Sequence, residues 1–136
     1  MKQVPLLSLT KLVLGVSAVV QLVMALAAFV APDLTRTLLS PSQQSPTIAI
    51  QYVGAFYLAG ALAAAYALRQ DNWIAARTYL AYAGPFVALA VVVTLINAPA
   101  SSGVQPISWL YVLLSLIYLP VVVWVWRQES ARSNSS

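Results

Sequence analysis

Four long uncharged stretches, Leu12–Val30, Ile48–Leu68, Thr78–Ile96 and Ile107–Trp126, alternate with short polar segments along this chain. Each is 19 to 21 residues long. At 1.5 Å per residue such a run makes a helix of about 30 Å, the thickness of the hydrocarbon core of a bilayer. Every charged residue falls outside the four stretches. The pattern predicts an all-α polytopic membrane protein, with four transmembrane helices in an antiparallel bundle and one domain over residues 1–136.

The connections refine this picture. The Arg69–Trp73 segment (RQDNW) is so short that spans two and three are expected to form a hairpin. Asp71 or Asn72 suits a cap for the third helix, Trp73 the headgroup level, and Arg77 can snorkel to the membrane surface. The first long loop, Ala31–Thr47, carries Pro32, Pro41 and Pro46. Pro32 and Asp33 suit a first helical turn, so Asp33–Ser40 reads either as a short surface helix with Leu34, Leu38 and Leu39 toward lipid or as a polar loop. The loop Asn97–Pro106 is uncharged and rich in turn formers, and the tail Glu129–Ser136 has a disordered composition.

Charge sets the expected orientation. Lys2, Lys11, Arg69, Arg77, Arg127 and Arg132 lie on the side of the termini and the middle loop, and Arg36 alone lies on the other. Positive residues in short loops stay inside, so both termini are expected in the cytoplasm, most naturally of a bacterial cytoplasmic membrane. The first span is expected to be retained rather than cleaved. Its 19 apolar residues are long for a signal sequence, and Pro32 follows Ala31 at the most obvious cut.

Composition removes most chemistry. Hydrophobic residues make up 61% of the chain and charged residues 7%, against about 25% charged in soluble domains. There is no Cys and no His, and the only acids are Asp33, Asp71 and Glu129. Thiol chemistry, disulfides, iron–sulfur and thiolate zinc sites are therefore excluded, and the commonest general base and the usual axial ligand of haem are removed. Three scattered carboxylates do not build a metal cage. With no charge inside any span, a proton relay or ion-coupled carrier has no groups to work with. The net charge of +4 reads as topology signal and headgroup contact, with no nucleic-acid partner.

Within the spans, Ala55, Ala59, Ala63 and Ala67 recur every four residues, with Gly54, Gly60, Ala61, Ala64 and Ala65 around them. Small residues at this spacing let helix backbones approach closely in lipid. Pro85 and Pro120 interrupt spans three and four, and each is expected to kink its helix and free a carbonyl, of Ala81 and of Leu116. Trp109, Tyr111, Trp124, Trp126 and Tyr52 mark span ends as aromatic belts. Centring each span puts Gln21, Tyr57 and Ser115 near the midplane, with Tyr118 and Tyr82 about one turn away. An unpaired amide in hydrocarbon costs several kcal/mol. Gln21 is therefore expected to point inward, toward spans two or four, and to bond Tyr57, Ser115, Tyr118 or a freed carbonyl. The level Gln21–Tyr57–Ser115–Tyr118 reads either as interhelical glue or as the polar floor of a site for a neutral amphiphile.

The order Gly15, Pro32, then Tyr52 through Ala61 (YVGAFYLAGA) and Leu68-Arg69 resembles the small four-helix bacterial membrane proteins of the DoxX-like kind. The resemblance covers nearly the whole chain. It implies a fold and carries over no catalytic residue. Two functions stay open. The first is a non-catalytic accessory subunit of a larger integral membrane complex, of the sort that respiratory and photosynthetic assemblies recruit, whose partners are other membrane subunits and lipids. The second is binding or transport of a neutral hydrophobic molecule, a lipid, quinone or carotenoid, within the bundle. Neither reading is enzymatic, and neither requires a cofactor.

Overall fold

A computed structural model describes residues 5–39, 47–97 and 106–134. The chain is all-helical over these residues, in the order α1 (Ser8–Val30), α2 (Pro32–Leu39), α3 (Thr47–Gln70), α4 (Trp73–Asn97) and α5 (Pro106–Asn134). Helices α1, α3, α4 and α5 are each long and apolar enough to cross a membrane. They contain the four predicted spans and extend them, chiefly at the end where the α3–α4 turn lies. There Ser8–Lys11, Trp73–Arg77 and Arg127–Asn134 continue the helices beyond the uncharged stretches.

Helix α3 packs most extensively on α1, and α4 on α5, with α3 and α4 also in contact. The α1–α3 seam is close because α3 presents glycine and alanine to it. A Cβ built on Gly54 would sit 2.8 Å from the Ala28 Cβ and 3.4 Å from the Ala25 carbonyl oxygen. Gly54, Gly60, Ala61, Ala64 and Ala67 are buried, whereas Ala55, Ala59 and Ala63 face outward. The close-approach face is therefore not the regular Ala55–Ala59–Ala63 series. Four residues turn an α-helix by about 400°, so a strict period of four drifts about 40° per step and leaves one face for another. By Ala67 the series has rotated into the seam.

The core centres on Leu14, Ala64, Ala76, Leu80 and Val125, with Trp73 and Tyr79 beside them. Of the two readings of the first loop, the helix is the one formed. Helix α2 starts at Pro32, and its Thr35 is buried while Leu34 is exposed. The side chains of Leu38 and Leu39, the loop residues Ser40–Pro46 and the loop 98–105 lie outside the described residues.

Only Asp71 and Asn72 separate α3 from α4. Asp71 has φ 47°, in the left-handed region that Asp tolerates better than most residues at a helix end. Asn72 caps α4, its Oδ1 accepting the Ala75 N–H at 3.0 Å. Asp71 turns the other way, toward α1. Of the tail Glu129–Ser136, whose composition suggested disorder, the final two residues lie outside the described residues, and Glu129–Asn134 is the last part of α5. It is helical because Glu129 is held at the start of α1.

Candidate polar sites in the bundle

Two groups of polar side chains occupy the interior. The first lies at the end of the bundle where α1 begins. Glu129 is 2% exposed. One of its oxygens, Oε1, accepts the Leu7 N–H at 2.7 Å and the Thr10 hydroxyl at 2.6 Å. The other, Oε2, lies 3.4 Å from Arg132 Nη1, which also donates to the Pro5 carbonyl at 3.4 Å. Asp71 Oδ1 accepts the Leu6 N–H at 3.0 Å, and Oδ2 pairs with Lys11 Nζ at 2.8 Å. The Lys11 ammonium and the Leu6 amide hold the Asp71 carboxyl below its usual range.

Helix α1 has no side-chain cap of its own. The Leu6 and Leu7 amides just before it, and the positive end of its dipole, are met instead by carboxylates from the α3–α4 turn and from α5. Beside this cluster Trp73 packs edge-on against Trp126, centroids 5.4 Å apart, and the Arg77 guanidinium lies 5.7 Å over the Trp126 ring. Trp73 is thus buried in the bundle rather than held at its surface, and Arg77 covers an indole.

The second group lies deeper. Gln21 is half-buried and points inward, as its depth requires, but its partner is Tyr79 of α4, which receives the Nε2–H at 2.6 Å. This corrects the expected pairing with Tyr57, Ser115 or Tyr118. Gly60 of α3 makes room for the amide, because any Cβ there would collide with Gln21 Oε1. Ser17, one turn before Gln21, lies 3.3 Å from the Tyr118 hydroxyl, and the Tyr79 hydroxyl is close to both. Ser115 is buried next to Tyr111, one turn away on α5, and Tyr57 of α3 faces that same Tyr111. Of the four predicted residues, Gln21 and Tyr118 thus join Ser17 and Tyr79, while Ser115 and Tyr57 lie by Tyr111, which Tyr118 also approaches.

Thr10, Ser17, Tyr79, Tyr111 and Glu129 were not singled out by reasoning from span centres. A signal for most of them was present in spacing. Tyr111, Ser115, Tyr118, Val122, Val125 and Glu129 follow one another at intervals of three and four along one face of α5. Ser17 and Gln21 lie one turn apart on α1.

Among the described residues no buried polar side-chain atom lacks a hydrogen-bond partner. The deep clusters contain hydroxyls and an amide, with no group that ionises near neutral pH. Such an arrangement is suited to fixing helix register. Among the described residues no group of three or more acids gathers as for a metal ion.

A further feature is an apolar groove of about 460 Å3 between α4 and α5. Ala81, Gly84, Pro85 and Ala88 line it from α4, and Leu119, Val122 and Trp126 from α5, with Arg127 among the lining residues. Pro85 of α4 is thus at a gap between two helices; Pro120 is exposed on α5.

No family model, no curated protein and no solved structure matches this chain.

Proposed function

We propose that this protein is a non-catalytic accessory subunit of a larger integral membrane complex. The observation that carries the reading is the outward face of α3. Ala55, Ala59 and Ala63 form a flat, exposed strip, bordered by exposed Tyr52, Phe56, Leu62 and Tyr66. The fold does not use this strip, since α1 packs on the opposite, glycine-bearing face. Small residues between large ones suit close packing of another helix in lipid. The paired state of the interior polar groups supports a structural role for them.

In this reading the helices alternate in direction and both termini lie in the cytoplasm of a bacterial membrane. The six-to-one distribution of basic residues supports that orientation. The meeting of Leu6, Asp71 and Glu129 at one end supports the alternation of the helices, with both termini on one side. Binding or transport of a neutral quinone, carotenoid or lipid at the level of Gln21, Tyr57, Ser115 and Tyr118 has less support, because Gln21 is engaged by Tyr79 and Ser17 by Tyr118.

Site-directed crosslinking in native membranes tests the proposal. A photoreactive residue at Ala59 should give a discrete adduct with another membrane protein, and one at Leu113, exposed on α5, should give mainly lipid adducts. Lipid adducts alone at both positions would remove the proposal. Orientation has its own test. A cysteine at Thr47 should react with an impermeant reagent from outside, and one at Gln70 should not; the reverse pattern inverts the topology.

A further inference from the structure

We infer that the groove between α4 and α5 seats an acyl chain of an anionic glycerophospholipid, whose phosphate is held by Arg127. This goes beyond the accessory-subunit reading and needs only that the bundle lie in lipid. The groove has the two halves such a ligand requires. Its floor is made by the small residues Ala81, Gly84 and Ala88. A Cβ at Gly84 would still be 3.8 Å from the nearest neighbouring atom, Val122 Cγ1, so the floor is open rather than pinched. From Leu119 to Arg127 the α5 side runs about 12 Å along the helix axis, a length suited to a chain laid beside it.

The charged half is at one end. Arg127 is the only ionised side chain lining the groove. It follows Trp126, whose ring is steadied by Trp73 and covered by Arg77. The nearby carboxylates are committed elsewhere, Asp71 to Lys11 and Glu129 to α1 and Arg132. Among the described residues neither Arg77 nor Arg127 has an acidic partner, so this end carries uncompensated positive charge. A guanidinium binds phosphate in a forked, charge-assisted geometry. A neutral apolar ligand would leave Arg127 unanswered. A zwitterionic lipid would answer it but bring a second positive charge toward Arg77 and Arg127. Net negative headgroups are therefore selected.

Native mass spectrometry of the full chain in a neutral detergent tests this, with phosphatidylglycerol and phosphatidylcholine as probes. One arginine at a membrane surface corresponds to a preference of about fivefold, so the first phosphatidylglycerol should bind at least that much more tightly. Arg127→Gln should bring the ratio to about one, and Arg127→Lys should keep most of it. Ala81→Leu fills the floor from an exposed position and should weaken the first step for both lipids. If that variant fails to fold, the two Arg127 variants decide alone. Inorganic phosphate at millimolar concentration should not displace the lipid. Equal binding of both lipids by the wild type, a ratio unmoved in Arg127→Gln, or displacement by inorganic phosphate would each overturn the proposal. So would a crosslink from Ala81→Cys to a polypeptide, which would mean that a partner helix fills the groove.

Discussion

Replacing Glu129 tests the cluster that ties the first helix to the last. Its side chain is 2% exposed and accepts two short bonds, from the Leu7 N–H at 2.7 Å and from the Thr10 hydroxyl at 2.6 Å. Bonds to a charged acceptor are worth about 1.5–3 kcal/mol each, and a buried donor left without one costs a similar amount. In Glu129→Leu both donors lose their acceptor, and the added apolar volume offsets only part of the loss. We expect a destabilisation of about 3–4 kcal/mol. Glu129→Gln keeps an oxygen for the two donors and loses the charge, for about 1–2 kcal/mol. Thr10→Val removes one donor and leaves the carboxylate on Leu7, for about 1–2 kcal/mol. The double variant Thr10→Val with Glu129→Gln should show a coupling of about 1 kcal/mol, because the two side chains share one bond. The assay is unfolding by sodium dodecyl sulfate in mixed micelles, followed by far-ultraviolet dichroism and by tryptophan emission. Trp73 and Trp126 sit beside the cluster, so emission reports the local opening. If Glu129→Leu were neutral or stabilising, or the coupling were zero, the cluster would not anchor α1 and the reasoning would fail.

Other outcomes follow from the same geometry. Because the Asp71 carboxyl is held below its ordinary value of 3.8, its contribution is fully present above that value and is lost as pH falls through the lower folded value. The stability gap between wild type and Asp71→Asn should therefore be constant near neutrality and close below about pH 4, while a gap that widened there would reverse the sign. Gly54→Leu should destabilise the bundle by more than about 3 kcal/mol, because a bare Cβ already meets Ala28, whereas Ala59→Leu should leave folding unchanged. Comparable losses at both sites would put α1 on the wrong face of α3. Gly60→Ala should displace the Gln21 amide and cost about what Gln21→Leu costs, near 1 kcal/mol, with little further loss when the two are combined. Full additivity would separate them.

The spans were legible because lipid imposes a length and expels charge, and neither depends on the neighbours of a helix. Their ends were less so. Residues such as Lys11, Arg77 and Arg127 mark the edge of the hydrocarbon, not the end of the helix, and the helices run on where polar groups pair. Depth alone required Gln21 to turn inward. It did not select Tyr79, only six residues into α4, because span centres say nothing about how helices are tilted or offset. The alanine series misled in the same way: a period of four drifts around a helix, and the glycines that form the seam stand beside it. Glu129 was the least legible residue. Its partner Thr10 lies 119 residues away in sequence, and only its place in the three-and-four spacing of α5 sets it apart from a tail acid.

The accessory-subunit reading is tested most directly by the native mass of the protein after extraction in mild detergent, wild type beside Ala59→Leu. The wild type should emerge in a defined hetero-complex. Ala59→Leu should release it as a single folded chain with unchanged helicity. A wild-type protein that emerges alone, or a complex indifferent to Ala59→Leu, would contradict the assignment of the outward face of α3 as the surface by which this protein joins its partners.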